Sequence, residues 1–551
     1  MIVLGGGAVL AFREGGSGTV SPPKPAIPPG QPRPVYGNAE FAQPYGIPTN
    51  PRYVYDGVFF GKSSMLGGEN VPINHHQGGP VCSTPHTHVL IAAQTGAGKG
   101  TRVIIPTLLR WMHNTVVIDP KGENAAVTAR ARASHPLKQK IHIINPWDEL
   151  GDVFRNLGFQ KATYNPLDII DPKDKNAVAY AQSLARAICP LDKGDNKANF
   201  WNRNAASILT AIFLWLADTP GETKTLARAR DIVTETRPEL QKYLALMSAT
   251  ESKPFGAAIR ENIRPLIGVN NETFMGIITT AAQFTDFLSD PQVKEATAAS
   301  TFTTQEFMTN LSTIYLIVPT DKMDTQATWL RLMITAIIQA YKHKPHAMQI
   351  HPCMFLIDEF PALQRIDAIS SDIAMMRGYH VMFTLVVQGL SDLRSVYHDD
   401  ADRILNNCHY KWFCNVKDLH SAKYLSDSLG TTTVQTVGTG ESQSSGGKGG
   451  SVGQSINYGQ TARPLMMPNE ILNLGRETAI LLAPSGNPHY LRTVDYWDLA
   501  KAFMYLSVVR PQLYHDPPLM WDRNPLLPSS QGSQQGKAQS PPLTEFPQIW
   551  D

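Results

Sequence analysis

HVLIAAQTGAGKGTRVIIPTLL, residues 88–109, decides the fold. Six apolar-leaning residues, His88 to Ala93, read as a buried strand. Gln94 to Thr101 form a turn, and helical spacing follows. Such a loop curls its backbone N–H groups around phosphates. Glycine permits the close approach, the lysine ammonium reaches the outer phosphates, and the helix N-terminus adds partial positive charge. The expected nucleotide contacts are Thr95, Gly96, Ala97, Gly98, Lys99, Gly100 and Thr101. The segment departs from G-x-x-x-x-G-K-[ST] twice. Ala93 stands at the first glycine, and Gly100 stands where a hydroxyl normally meets magnesium. Thr101, one residue on, is the available hydroxyl and is read as a magnesium contact.

Phosphoryl transfer also needs a metal-holding carboxylate and a group that orients the attacking water. MFLIDEF (354–360) ends an apolar strand in Asp358 and Glu359. The aspartate suits magnesium and the glutamate suits the base that polarises water. Asp119, at the end of TVVID (115–119), competes for the aspartate role, but no second carboxylate adjoins it. Gln388 closes the strand HVMFTLVVQ (380–388), where a polar group can sense the terminal phosphate through water or serve only as a turn residue. Arg377 precedes that strand, far from its own loop. It reads as a finger reaching a neighbouring subunit's phosphates or as a surface salt-bridge partner.

Around these segments lie 551 residues, 42% hydrophobic and 17% charged, a composition that excludes a mostly disordered chain. Lys plus Arg number 49 and Asp plus Glu 47, a net charge of +2, which excludes a wholesale basic coat but leaves room for a local basic stripe or lumen. Five cysteines without a C-x-x-C pair suit a reducing compartment, as small buried hydrophobes. The apolar run Met1 to Phe12 is about 12 residues, against about 20 for a spanning helix. It reads as a disordered or weakly interfacial terminus or as the end of a transmembrane helix whose start lies outside this chain, with residues from 36 onward soluble.

The fold expected is α/β: a parallel-centred sheet flanked by helices, interrupted by an all-α insertion. Residues 1–35 are an apolar terminus and a spacer with seven prolines in positions 21–34. Residues 36–172 carry the phosphate loop and the strands HVLIAA, TVVID and IHIIN. Residues 173–300 lose strand-like runs and take helical spacing, as in Trp201, Ala205, Ile208, Ile212 and Trp215. This stripe reads as core. Residues 301–510 resume the sheet with TIYLIV, CMFLIDE, HVMFTLVVQ, YKWFCNV and TAILLA, and hold a Gly/Ser-rich stretch, 438–455, read as a flexible loop. Residues 511–551 read as a disordered tail.

With these residues placed, the chain resembles the type IV secretion coupling proteins, the TraG/TraD-like ATPases of bacterial conjugation and effector export. The resemblance rests on Tyr36-Gly37-Asn38-Ala39, on Gln94 to Pro106 with Gly after the lysine, and on Asp119-Pro120-Lys121-Gly122-Glu123. It also rests on Asn145-Pro146, Asn165-Pro166-Leu167, Phe200-Trp201, Asp358-Glu359-Phe360, Gln388, Arg463-Pro464-Leu465 and Pro468-Asn469-Glu470-Ile471. It spans about residues 36–500. It implies a RecA-like P-loop NTPase that uses ATP and Mg2+ and assembles as a homo-hexameric ring at the cytoplasmic face of the bacterial inner membrane. Such rings pass a relaxase–DNA complex or effector proteins to the secretion channel, and Arg377 matches their trans-acting arginine. The family usually carries two N-terminal transmembrane helices; the run Met1 to Phe12 reads as at most the end of one, so an anchor truncated from this chain or supplied by a partner is expected.

Two other readings compete: a double-stranded DNA translocase outside secretion, and a substrate receptor that uses nucleotide only as a clamp. His75, His76, Cys82, His86 and His88 crowd one stretch but are not read as a zinc site, because Gly78-Gly79-Pro80 makes a loose turn. Arg130, Arg132, Lys138 and Lys140 read as a solvated helix face.

Overall fold

A computed structural model describes residues 37, 39–41, 57–63, 80–84, 86–134, 138–191, 196–343, 348, 350–444 and 451–496. The run 1–12, the proline-rich spacer, His75, His76 and the tail from 511 lie outside the described residues. The chain divides into two compact units.

The larger unit is built on an eleven-stranded sheet. Its strands are β1 (Phe59–Ser63), β2 (Pro80–Cys82), β3 (His88–Ala93), β4 (Asn114–Asp119), β5 (Lys140–Ile144), β6 (Ser312–Ile317), β7 (Cys353–Ile357), β8 (Val381–Val387) and β9 (Cys408–Cys414), together with β12 (Thr478–Leu482) and β13 (His489–Arg492). The order is β2-β1-β13-β12-β9-β3-β8-β7-β4-β6-β5. From β9 to β5 every pairing is parallel. The strands β3, β4, β6, β7 and β8 are buried throughout, which is why they read as unbroken apolar runs rather than alternating ones.

The other edge departs from a purely parallel sheet. TAILLA forms β12, which runs antiparallel to β9, and β13, β1 and β2 continue antiparallel. For one of these pairs the connection is the reason: β12 and β13 lie six residues apart, room for a hairpin but not for a helical crossover.

Between β5 and β6 the named elements are all helical. The helix Asn196–Asp218 packs against the helices Ala177–Ile188, Gly256–Ile263 and Asn271–Phe284; Ala205, Ile208, Ile212 and Trp215 are buried and Trp201 is half-buried, and from Ala205 to Leu216 the helix is buried nearly all round. The helix Met323–Lys342, after β6, packs on Ala177–Ile188.

The smaller unit corrects the loop reading of 438–455 at residues 438–444 and 451–455. β10 (Thr431–Ser444) and β11 (Ser451–Pro464) pair antiparallel without interruption from Thr431↔Pro464 to Ser444↔Ser451. Ladder pairing uses only main-chain groups, so a Gly/Ser-rich composition hid the strands while Val434, Val437, Ile456 and Tyr458 supply β-prone side chains. In the same unit the Ala39 N–H donates to the Thr431 carbonyl at 3.1 Å. Gly37 lies so close to the Thr431 carbonyl that a Cβ there would collide with it.

Candidate functional site

The phosphate loop leaves β3 at Ala93. Gly96 and Gly98 take φ of 79° and 82°, left-handed values that glycine adopts without strain. Nothing lies within 4 Å of a Cβ built on Gly96 or Gly100, so the loop's outer face is open. The Ala97 N–H donates to the Gln94 carbonyl at 3.1 Å. The helix then begins with a wide turn, Gly100–Ile104, closed by the Ile105 N–H on the Gly100 carbonyl, and continues as Ile105–Arg110.

Lys99 and the acidic pair meet across 260 positions of sequence. Lys99 Nζ donates to Glu359 Oε1 at 2.8 Å and stands 4.0 Å from Asp358 Oδ1. Gln388 Nε2 donates to the other Glu359 oxygen at 3.0 Å. Parallel strand order explains the convergence. β3, β8 and β7 are adjacent, so the residues that follow each of them share the C-terminal edge of the sheet, where open α/β sheets place ligands. Glu359 itself adopts φ 54°, an uncommon conformation for a non-glycine residue. Its N–H donates to Asp358 Oδ1 at 3.0 Å. Burial pushes the Asp358 carboxyl up to about 6; the Lys99 charge opposes the rise and the Glu359 charge adds to it.

Asp119 faces inward. Its carboxylate accepts the Ala125 N–H at 2.8 Å and Asn124 Nδ2 at 3.2 Å, capping the helix Glu123–Ala133. Burial pushes its carboxyl up to about 7, and the nearby Asp358 charge adds to this. Arg377 lies just before β8, at the opposite end of that strand from Gln388 and roughly 20 Å away along it. It is exposed and shares a hydrogen bond with His409 Nε2 at 3.0 Å.

Thr101 is engaged elsewhere than expected. Its hydroxyl donates to Asp495 Oδ1 at 2.7 Å, after the end of β13. Arg102 beside it donates Nε to Asp495 Oδ1 at 3.1 Å, Nη2 to Glu477 Oε1 at 3.1 Å and Nη1 to Thr493 Oγ1 at 3.0 Å. Burial alone would lower the guanidinium pKa, but Asp495 and Glu477 raise it above its ordinary value. The start of the loop helix is thus fastened to the antiparallel edge. No local pattern announces Asp495, because its partners lie 393 and 394 positions away.

One sequence reading changes here. Arg132 is fully buried rather than solvated: it donates to the carbonyls of Leu108, Trp111 and His113 and to Gln139 and Thr313, a neutral set that satisfies all five N–H groups. His88 has one ring nitrogen on the Ile373 carbonyl and the other accepting the Phe383 N–H, so neither is free for a metal.

A profile of the family described as "Type IV secretory system Conjugative DNA transfer" matches residues 47–519. The chain is 26% identical over 411 residues to the conjugal transfer protein TraG of Escherichia coli, covering 70% of this chain and 62% of that protein. It is also 26% identical over 428 residues to the protein VirD4 of Rhizobium radiobacter, covering 74% and 58%. It therefore spans about three fifths of the length of these relatives. Among solved structures, the plasmid coupling protein TrwB in complex with the ATP analogue ADPNP superposes with a TM-score of 0.55 at 16% identity, over 84% of this chain and 96% of that one. The TrwB complex with ADP and Mg2+ gives 0.54 at 15%. At these identities the likeness establishes the fold, a RecA-like P-loop NTPase. The match over residues 47–519 places this chain in the type IV secretory system conjugative DNA-transfer family.

Proposed function

We propose that this chain is an ATP-hydrolysing coupling protein that delivers DNA–relaxase complexes or effector proteins to a type IV secretion channel. The observation that carries the reading is the meeting of Lys99, Asp358, Glu359 and Gln388 on one sheet edge. In this reading Thr95 to Thr101 cradle the triphosphate with main-chain N–H groups, and Lys99 carries the charge toward its outer phosphates. The donor set fits magnesium, a hard cation that takes oxygen ligands: the carboxylate of Asp358 faces the loop, whereas Gly100 offers no oxygen side chain and the Thr101 hydroxyl proton goes to Asp495. Bound magnesium would supply positive charge that offsets the charge developing on the phosphates.

Glu359 is the base. Lys99 Nζ leaves Glu359 Oε1 for the phosphates, which frees that oxygen to accept a proton from the attacking water. Gln388 holds the second oxygen, so the carboxylate keeps its aim. Arg377, at the far edge, serves the site of a neighbouring copy in a ring, where an arginine finger is worth about 10³–10⁵ in rate. Asp119 is left with the capping of its helix. This division of the site between two edges of one sheet supports a ring of copies, placed in this reading at the cytoplasmic face of the inner membrane. Among the described residues no helix is long and apolar enough to cross a membrane.

The decisive experiment measures ATP turnover by the purified chain with and without single-stranded DNA, for wild type and Glu359→Gln. DNA-stimulated turnover lost in the variant supports a motor. Tight ATP binding with no turnover in the wild type refutes it and leaves the nucleotide as a clamp.

A further inference from the structure

Behind the acidic loop, a cleft of about 240 Å³ opens between the helix Ala177–Ile188, the helix Met323–Lys342 and the segment 365–372. Arg186, Arg331, Lys342 and Arg365 line it with Asp367 and Asp372, four cations against two carboxylates. Lys342 is paired with Asp372 at 2.8 Å. Arg365 is paired with Asp367 at 2.8 Å and with Asp400 at 2.7 Å. Arg186 and Arg331 carry the excess.

Arg331 is 2% exposed, yet its partners are all neutral. Nε donates to the Ala187 carbonyl at 3.2 Å, Nη1 to the Leu363 carbonyl at 3.3 Å and Gln364 Oε1 at 3.1 Å, and Nη2 to Thr328 Oγ1 at 2.9 Å. A guanidinium has five N–H donors, so these four acceptors leave one Nη2 proton uncommitted. Burial pulls its pKa down to about 10, which still leaves it cationic at neutral pH. Stapling the end of the helix Ala177–Ile188 to the loop at Leu363 explains the four bonds. It explains neither the fifth donor nor the open space, nor why exposed Arg186, which makes no hydrogen bond or ion pair among the described residues, lines the same cleft.

We infer that this cleft is a binding site for a phosphoryl anion, separate from the phosphate loop. The Asp367 charge acts on Arg331 from nearby but is already paired with Arg365; a buried guanidinium with no ion pair of its own is costly, and an anion offsets that cost. The fork of an arginine matches phosphate oxygens better than any point charge does, and Arg186 at the rim supplies the second. The loop that Arg331 holds, Leu363 and Gln364, begins at Glu359, so an occupant sits four residues behind the base.

The inference goes beyond nucleotide hydrolysis and is tested without it. The full chain carrying Lys99→Ala is titrated calorimetrically with inorganic phosphate and with a short single-stranded oligonucleotide, then again with Arg186→Glu or Arg331→Lys added. Saturable binding is expected, weakened about tenfold or more by either added change. If phosphate binds in this arginine-dependent way and the oligonucleotide does not, the occupant is a free anion. If the oligonucleotide binds so and displaces phosphate, the occupant is a nucleic-acid backbone. Arg186 is exposed, so its replacement leaves the fold intact even if Arg331→Lys does not. No binding of either probe, or binding that Arg186→Glu leaves unchanged, overturns the assignment.

Discussion

Replacing Asp495 with alanine tests whether the phosphate-loop helix is held by the far edge of the sheet. Asp495 accepts from Thr101 at 2.7 Å and from Arg102 Nε at 3.1 Å and Nη2 at 3.3 Å. The Arg102 side chain is 7% exposed and that of Asp495 20%, so both charges are largely out of water. Removing one partner of a buried pair costs about 3–5 kcal/mol, because the other charge is left behind. Glu477 and Thr493 still accept from Arg102, which places Asp495→Ala at the lower end, about 3 kcal/mol. Asp495→Asn keeps an oxygen for Thr101 and loses the charge, so it is expected to cost about half as much. Urea denaturation at neutral pH gives the values, and a double-mutant cycle with Arg102→Met isolates the pair, with an expected coupling of about 1.5–3 kcal/mol. A loss under about 0.5 kcal/mol for Asp495→Ala, the size of an ordinary surface change, or an additive cycle, refutes the fastening.

Glu359→Gln is expected to lower ATP turnover by about 10²–10⁴, the range of a lost general base, while ATP binding by equilibrium dialysis is retained; equal turnover sinks the assignment of the base. Arg377→Ala, at an exposed residue hydrogen-bonded to His409, is expected to lose about 10³ in turnover. Mixing it with Glu359→Gln chains should restore part of that turnover, because each supplies what the other lacks; absence of rescue argues against action in trans. For Asp119 the folded carboxyl is raised from 3.8 to about 7. Between those values the folded protein holds a proton that the unfolded chain has released, so stability falls as pH rises, by up to about 1.4 kcal/mol per pH unit. Asp119→Asn removes that slope, and thermal melts from pH 4 to 7 that stay parallel for both proteins would contradict it.

The phosphate loop, the acidic pair and Gln388 were legible because each is a local pattern: an apolar run that ends in a polar residue. Parallel pairing then does the rest. Every parallel strand ends on the same edge, so strand-end residues 260 and 29 positions apart come together without any further signal. The same rule separates Arg377 from them, since it precedes its strand. The antiparallel edge was less legible, because strand β12 has the same buried apolar centre as its parallel neighbours and direction leaves no trace in composition. The ribbon Thr431–Pro464 was missed for the opposite reason: its pairing runs through main-chain groups while its side chains look like those of a linker.

What composition and periodicity conceal most is a buried charge with distant partners. Arg132 and Arg331 sit in helices; Arg132 reads as part of a solvated face and Arg331 carries no pattern that singles it out, because arginine is rarely buried. In the structure each is 2% exposed or less, and each draws on carbonyls that a helix or loop end leaves without a partner. Helix ends always leave such carbonyls, and which of them lies within an arginine's reach depends on tertiary placement alone. The two residues then part ways. Gln139, Thr313 and three carbonyls meet every donor of Arg132. Arg331 faces open space with a donor to spare. An arginine whose neighbours satisfy it completely is a staple; one left a donor short beside a second unpaired arginine has the makings of a receptor, and that difference is visible only once the acceptors are counted in three dimensions.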